Sequence, residues 1–160
     1  MFTLKPDYDA VLNRFEAWWH ADIVDRALFG LRLQQAPEKR QAVPVKTFAS
    51  HRERWLDTGY LVDRTAAAMG NQLYLADSLP IVIPNLGPEV FSACYGCELE
   101  YGENTTWSHP ILKDLTDESL AGIAFDMNSF AFRKLDEMSR ALLAVGKGNF
   151  IVGYTDVHPG

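Results

Sequence analysis

The sequence predicts an α/β fold built of parallel β/α units, and three observations carry that expectation. Strand-like and helix-like segments alternate along the chain, with helices longer than ten residues set between short apolar strands. The run Leu79-Pro80-Ile81-Val82-Ile83-Pro84 is apolar without polar alternation, as strands covered on both faces are. The last residues, Asp156-Val157-His158-Pro159-Gly160, have the composition of a loop leaving the C-terminal end of a strand. No helix follows to cover that strand.

Taken in order, Asp7 to His20 places Tyr8, Val11, Leu12, Phe15, Trp18 and Trp19 at helical spacing behind Pro6, which predicts an amphipathic helix with an aromatic face. Ala27 to Leu33 is too short for a helix and reads as a first strand, closed by Gln34, Gln35 and Pro37. The polar, Pro-containing stretch from Ala36 to Phe48 is a loop. Ser50, with Glu53 three residues on, forms a capping box that opens a helix from His51 to Leu56. Leu61, Val62, Ala66, Met69 and Leu73 share one face of a second helix, Thr58 to Leu73, and Leu79 to Pro84 is the second strand.

Gly87 to Gly96 reads as a short helix with Pro88 in its first turn, and Cys97 to His109 as a long loop or a β excursion. The strongest helical signal runs from Asn128 to Val145, where Phe130, Phe132, Leu135, Met138, Leu142 and Leu143 make an apolar stripe that Gly146 and Gly148 end. Phe150 to Tyr154 is the third strand. With no repeat or linker in the way, residues 1–160 are expected to form a single domain. The uncovered third strand leads to the expectation that it is the N-terminal portion of a larger one, the alternative being a complete small three-stranded domain.

Composition narrows the function classes. The chain is 48% hydrophobic and 22% charged, as folded proteins are, and its net charge of −6 comes without a basic tract, so no nucleic-acid partner is expected. No apolar run approaches the ~20 residues that span a bilayer, and Lys5, Pro6 and Asp7 interrupt the start. No membrane partner is expected and a cytoplasmic location is. Two cysteines without a secretion signal argue for reduced thiols.

Cys94-Tyr95-Gly96-Cys97 has the spacing of a redox pair, but its helix precedes Cys94, at the wrong end of the dipole for a lowered thiol pKa. A zinc site needs a second ligand pair that the sequence lacks. A buried structural Cys97 and a partly buried Cys94 are expected, with no metal site.

Strand ends are the better place for chemistry, since α/β folds bind ligands beyond the C-terminal ends of their parallel strands. Asp156 and His158, two apart, project to one side if strand geometry persists, where the carboxylate can orient the imidazole; a turn Asp and a solvent-facing His is the plain alternative. Asn85 follows the second strand and can both donate and accept hydrogen bonds. Asn85, Asp156 and His158 are therefore the catalytic candidates. Arg32, Glu89 and Trp107 are the candidates for substrate binding. Arg32, if buried, needs a carboxylate or phosphate partner, either an Asp or Glu of the protein or an acidic ligand; Glu89 serves as acid or base or merely complements a helix N-terminus, and Trp107 floors a pocket or pins its loop to the core.

Three stretches, "WWHADIVDRALFGLRL", "LPIVIPNLGPEVFSACYGCELEYGENTTW" and "FIVGYTDVHPG", together resemble the N-terminal half of the uroporphyrinogen decarboxylase superfamily, which also holds the corrinoid-linked methyltransferases. The resemblance implies a partial (β/α)8 TIM-type barrel, its N-terminal part with about three parallel strands. It implies an enzyme, a decarboxylase-like lyase or a cobalamin-dependent methyltransferase, acting on a tetrapyrrole, a corrinoid-bound methyl group or another small anionic substrate. A corrinoid protein or a second copy of the chain would be the further partner. No cofactor falls within this segment; zinc or a corrinoid would belong to a full-length parent, whose His and Cys ligands would lie beyond Gly160.

Two features depart from the decarboxylases. Their Arg-rich loop after strand one is reduced here to Arg32-Leu33-Gln34-Gln35, and the Asp that contacts pyrrole nitrogens after strand two is replaced by Asn85, which carries no charge to balance a pyrrolic cation. Both favour, as the alternative, a non-catalytic ligand-binding or interaction module of the same fold.

Overall fold

A computed structural model describes residues 2–156. The first helix, α1 (Tyr8–Trp19), forms where its spacing predicts. Of its apolar positions only Val11 is fully buried, whereas Trp18 and Trp19 are 58% and 79% exposed. The aromatic spacing marked the helix but not the face it buries. The helix stops at Ala21, whose φ of 56° lets Ala21 N–H bond Trp18 O and Asp22 N–H bond Ala17 O, a Schellman closure made without glycine.

The strand β1 (Gly30–Gln34), expected as the first of three parallel strands, instead pairs antiparallel with β2 (Gln72–Ala76). That partner interrupts the helix expected to reach Leu73. After α2 (His51–Leu56), the helix α3 (Thr58–Gly70) ends at Asn71, and Leu73 belongs to β2. Along β2, Tyr74 points into the core while Leu73 and Leu75 are 37% and 39% exposed. Five residues of two-fold alternation are too few to separate from the tail of a helix by spacing alone. Ahead of α2 the expected Ser50 cap forms, Ser50 Oγ accepting from Glu53 N–H, but the reciprocal half of the box is shifted: the Glu53 carboxylate accepts from Ala49 N–H, one residue before the cap.

The ribbon β1–β2 is tied to α1 by a buried carboxylate. Asp77, its side chain 1% exposed, accepts from Phe29 N–H, from both terminal nitrogens of Arg26 and from Arg14, which also forks onto Asp25. Buried Lys5 donates to the carbonyls of Tyr74 and Ala76, closing the other side of β2. The Arg26 hydrogen bond is the main cause that holds the Asp77 carboxyl below its ordinary 3.8.

The strands β3 (Ile81–Val82) and β6 (Ile151–Val152) pair in parallel, Ile81 opposite Ile151 and Val82 opposite Val152. This is the parallel relation expected of the second and third strands. Between them run α4 (Val90–Ala93), the antiparallel hairpin of β4 (Glu98–Tyr101) and β5 (Thr106–His109), α5 (Asp117–Ala121) and α6 (Phe130–Gly146). The stretch after Cys97 is thus a β excursion. Among the described residues the strands form three two-stranded sheets, a mixed α/β arrangement without a closed barrel.

Ser129 caps α6 by accepting from Phe132 N–H, and the helix lays Ala131, Leu135 and Met138 against Leu86, Val90, Ala93 and Cys94. A second cluster joins Met69, Tyr74 and Phe150 to Val82 and Val152, so both core clusters meet the parallel pair or the turn that leaves it. That turn contains Gly87 at φ 94°, where a Cβ would lie 1.8 Å from Thr106 Oγ1. Thr106 is 1% exposed and donates to Leu86 O.

Gly87→Ala combines a left-handed backbone with a clash against a buried side chain and should cost about 3 kcal/mol in urea unfolding. Gly148→Ala, at φ 77° with open space around it, should cost only about 1 kcal/mol. A separate expectation concerns acid. Because the folded-state pKa of Asp77 is lowered, its contribution is complete above 3.8 and is lost as pH falls through the folded-state value. Unfolding free energies measured from pH 6 to pH 2.5 should therefore fall more shallowly below about pH 4 in Asp77→Asn than in the parent.

Candidate functional site

The parallel pair ends in a small platform. Thr155 Oγ1, just past β6, donates to Pro84 O, just past β3, at 3.0 Å, so the two exits are stitched together one residue before Asn85 and one before Asp156. Asn85 and Asp156 thus leave adjacent strands at their C-terminal ends, where ligands of parallel α/β folds bind. Both are exposed. Asn85 Oδ1 accepts from Gly87 N–H at 2.6 Å, which commits its carbonyl to the turn and leaves Nδ2 as the group it can offer a ligand. It edges a cavity of about 160 Å3 whose other walls include Thr58, Leu61, Ile83 and Met138. His158 lies outside the described residues.

The remaining predicted residues are distributed around this platform. Glu89 is half-buried and accepts from Ser108 Oγ at 2.9 Å, an anchor between the exit turn and β5. Trp107, on β5, is 53% exposed; its ring lies so close over Gly102 that a Cβ there would sit 2.6 Å from it. The hairpin turn is thereby pinned, and Trp55 Nε1 donates to Gly102 O from the other side. Arg32 sits on the separate β1–β2 ribbon, its guanidinium 6.0 Å from the Tyr74 ring centroid. Being exposed there, it needs no buried counter-ion.

The cysteines exchange the places expected of them. Cys94 is the buried one, 2% exposed with Sγ 3.5 Å from Val90 O, and Cys97 is the half-buried one. Burial pushes the Cys94 thiol pKa up. Helical spacing places Cys94 on the core side of α4, whereas Cys97 follows Gly96 at φ 101°, which turns the chain outward before β4.

One concavity went unread in the sequence. About 970 Å3 in volume, it lies between residues 43–52 and the β4–β5 hairpin, and Lys46, Arg52, Arg54 and Arg64 line it together with Tyr60 and Tyr101. Its only signal was the alternation of bases and an aromatic in His51-Arg52-Glu53-Arg54-Trp55, which a net charge of −6 conceals.

Among the described residues no helix is long and apolar enough to cross a membrane. Comparison with known proteins adds no relative: no family model, no curated protein and no solved structure matches the chain.

The thiol arrangement makes a direct prediction. A disulfide reagent at pH 8 should titrate one thiol in the native protein and two in guanidinium, and Cys97→Ser should abolish the native reaction.

Proposed function

We propose that the chain is part of a uroporphyrinogen-decarboxylase-like β/α barrel and belongs to an enzyme that acts on a small anionic substrate at the ends of β3 and β6. The observation that carries this reading is the parallel pair with Thr155 bonded to Pro84, which sends Asn85 and Asp156 out side by side. The long connection from β3 through α6 to β6 is a β/α/β unit of the kind that builds such barrels.

The two residues divide the work. Asn85 Nδ2 donates to a carboxylate of the substrate. Asp156 supplies, from the neighbouring strand end, the negative charge that Asn85 lacks, and so balances a cation that develops as a pyrrole ring is protonated ahead of carbon dioxide loss. Methyl transfer from a corrinoid would need a nucleophilic acceptor such as a thiol, to which the methyl would pass as the Co–C bond breaks, and the platform would serve for orientation alone. A second reading, a ligand-binding module without turnover, draws support from the commitment of Asn85 Oδ1 to the turn.

The test, on the full-length protein that carries this chain, is turnover of uroporphyrinogen, followed by chromatography of the decarboxylated products, and of methylcobalamin with an added thiol as methyl acceptor, followed by the absorbance of the cob(I)alamin released, each with thermal unfolding in parallel. Asp156→Asn should lower turnover about 100-fold in a protein that still unfolds cooperatively. Stabilisation by either compound without turnover would select the binding module. Neither stabilisation nor turnover would overturn both readings.

A further inference from the structure

We propose that the groove between residues 43–52 and the β4–β5 hairpin binds a phosphorylated small molecule, with Arg52 and Arg64 as the side chains that grip its phosphate. Neither Asn85 nor Asp156 lines this groove, so the inference stands apart from the reading of the strand ends.

The electrostatics of the lining are one-sided. Against four cationic side chains, Lys46, Arg52, Arg54 and Arg64, stands one carboxylate, that of Glu103. Lys46 is spent on Asp57. Arg54 donates to the backbone carbonyl of Glu103 and lies 5.7 Å from the Trp55 ring centroid, contacts that orient its charge without neutralising it. Arg52 is held 5.5 Å from the Phe130 ring centroid and 6.0 Å from that of Tyr101, again without a carboxylate. Arg64 has no ion pair or hydrogen bond among the described residues.

In a chain with 21 acidic against 15 basic residues, three guanidiniums facing one groove without a carboxylate partner form a local reversal of charge. A carboxylate offers two oxygens, which one guanidinium fork satisfies. A phosphate monoester offers three oxygens and a charge of about −1.5 to −2 at neutral pH, so it can be gripped by guanidiniums from two sides at once. The volume of about 970 Å3 is far more than inorganic phosphate fills and falls in the range of cofactor-sized ligands, about 300–1,000 Å3. Phe48 and Tyr60, packed edge to face at 4.9 Å, and Tyr101 give the uncharged part of such a ligand an apolar wall. Burial raises the pKa of the Tyr101 hydroxyl, which keeps it a donor.

The experiment is calorimetric titration of the intact chain with pyrophosphate, and with citrate as the carboxylate comparison, at low and at raised salt. Pyrophosphate should bind saturably, more weakly in salt, and at least about tenfold more weakly in the double variant Arg52→Gln with Arg64→Gln. Arg140→Gln with Lys147→Gln removes the same charge from α6 and its C-cap and should change the affinity less than about twofold. If the double arginine variant does not fold, Arg64→Gln alone carries the test. Absence of saturable binding, an equal loss in the α6 variant, or citrate binding as tightly through the same arginines would each overturn the phosphate assignment. None of these results would alter turnover at the strand ends, so the two proposals fail separately.

Discussion

The contact of Gly87 with Thr106 is the constraint around which the rest of the molecule is arranged. A buried threonine fills the space where any side chain at Gly87 would stand, and the left-handed φ there admits glycine at little cost. Because Thr106 opens β5, this contact fastens the hairpin to the turn that leaves β3, and the Ser108–Glu89 bond secures the same junction two residues on. Leu86, at the same turn, is fully buried against α6. One turn therefore joins strand, hairpin and long helix.

Both candidate sites follow from that junction, in different ways. At the strand-end platform the Asn85 side chain closes the turn and Thr155 bridges from β6. At the basic groove the hairpin turn is held against α2 through Trp55 and Arg54. A shift of the hairpin would disturb both, although they share no lining residue.

Elsewhere the chain relies on charge rather than apolar burial. The β1–β2 ribbon turns four leucines, Leu31, Leu33, Leu73 and Leu75, to its exposed face, and inward it contributes chiefly Tyr74. What locates the ribbon is the Asp77 cluster with its two arginines, and Lys5 on the backbone of β2. Such a cluster is costly to break because it would leave an unpaired charge in a buried position, so it specifies position even where its net contribution to stability is small.

What the sequence determined alone is local in origin. The α1, α2 and α6 helices were legible because spacing and caps act within one or two turns: Ser50 with Glu53, and the stripe of Leu135, Met138 and Leu142. The parallel kinship of β3 and β6 was legible from the strand–helix–strand order, although Ile81 and Ile83, 44% and 40% exposed, are not covered on both faces as the unbroken apolar run predicted. The positions of Asn85 and Asp156 at strand ends followed from it. Tertiary structure alone decided the rest. Whether Leu73 ended a helix or lay in a strand depended on a partner 40 residues away, as Leu73 faces Leu33, and five residues hold no period to settle it. The burial of Cys94 rather than Cys97, and the gathering of Arg52, Arg54 and Arg64 on one groove, arise from packing between distant segments. Local propensity does not encode such juxtapositions, because the free energy that selects them appears only when the surfaces meet.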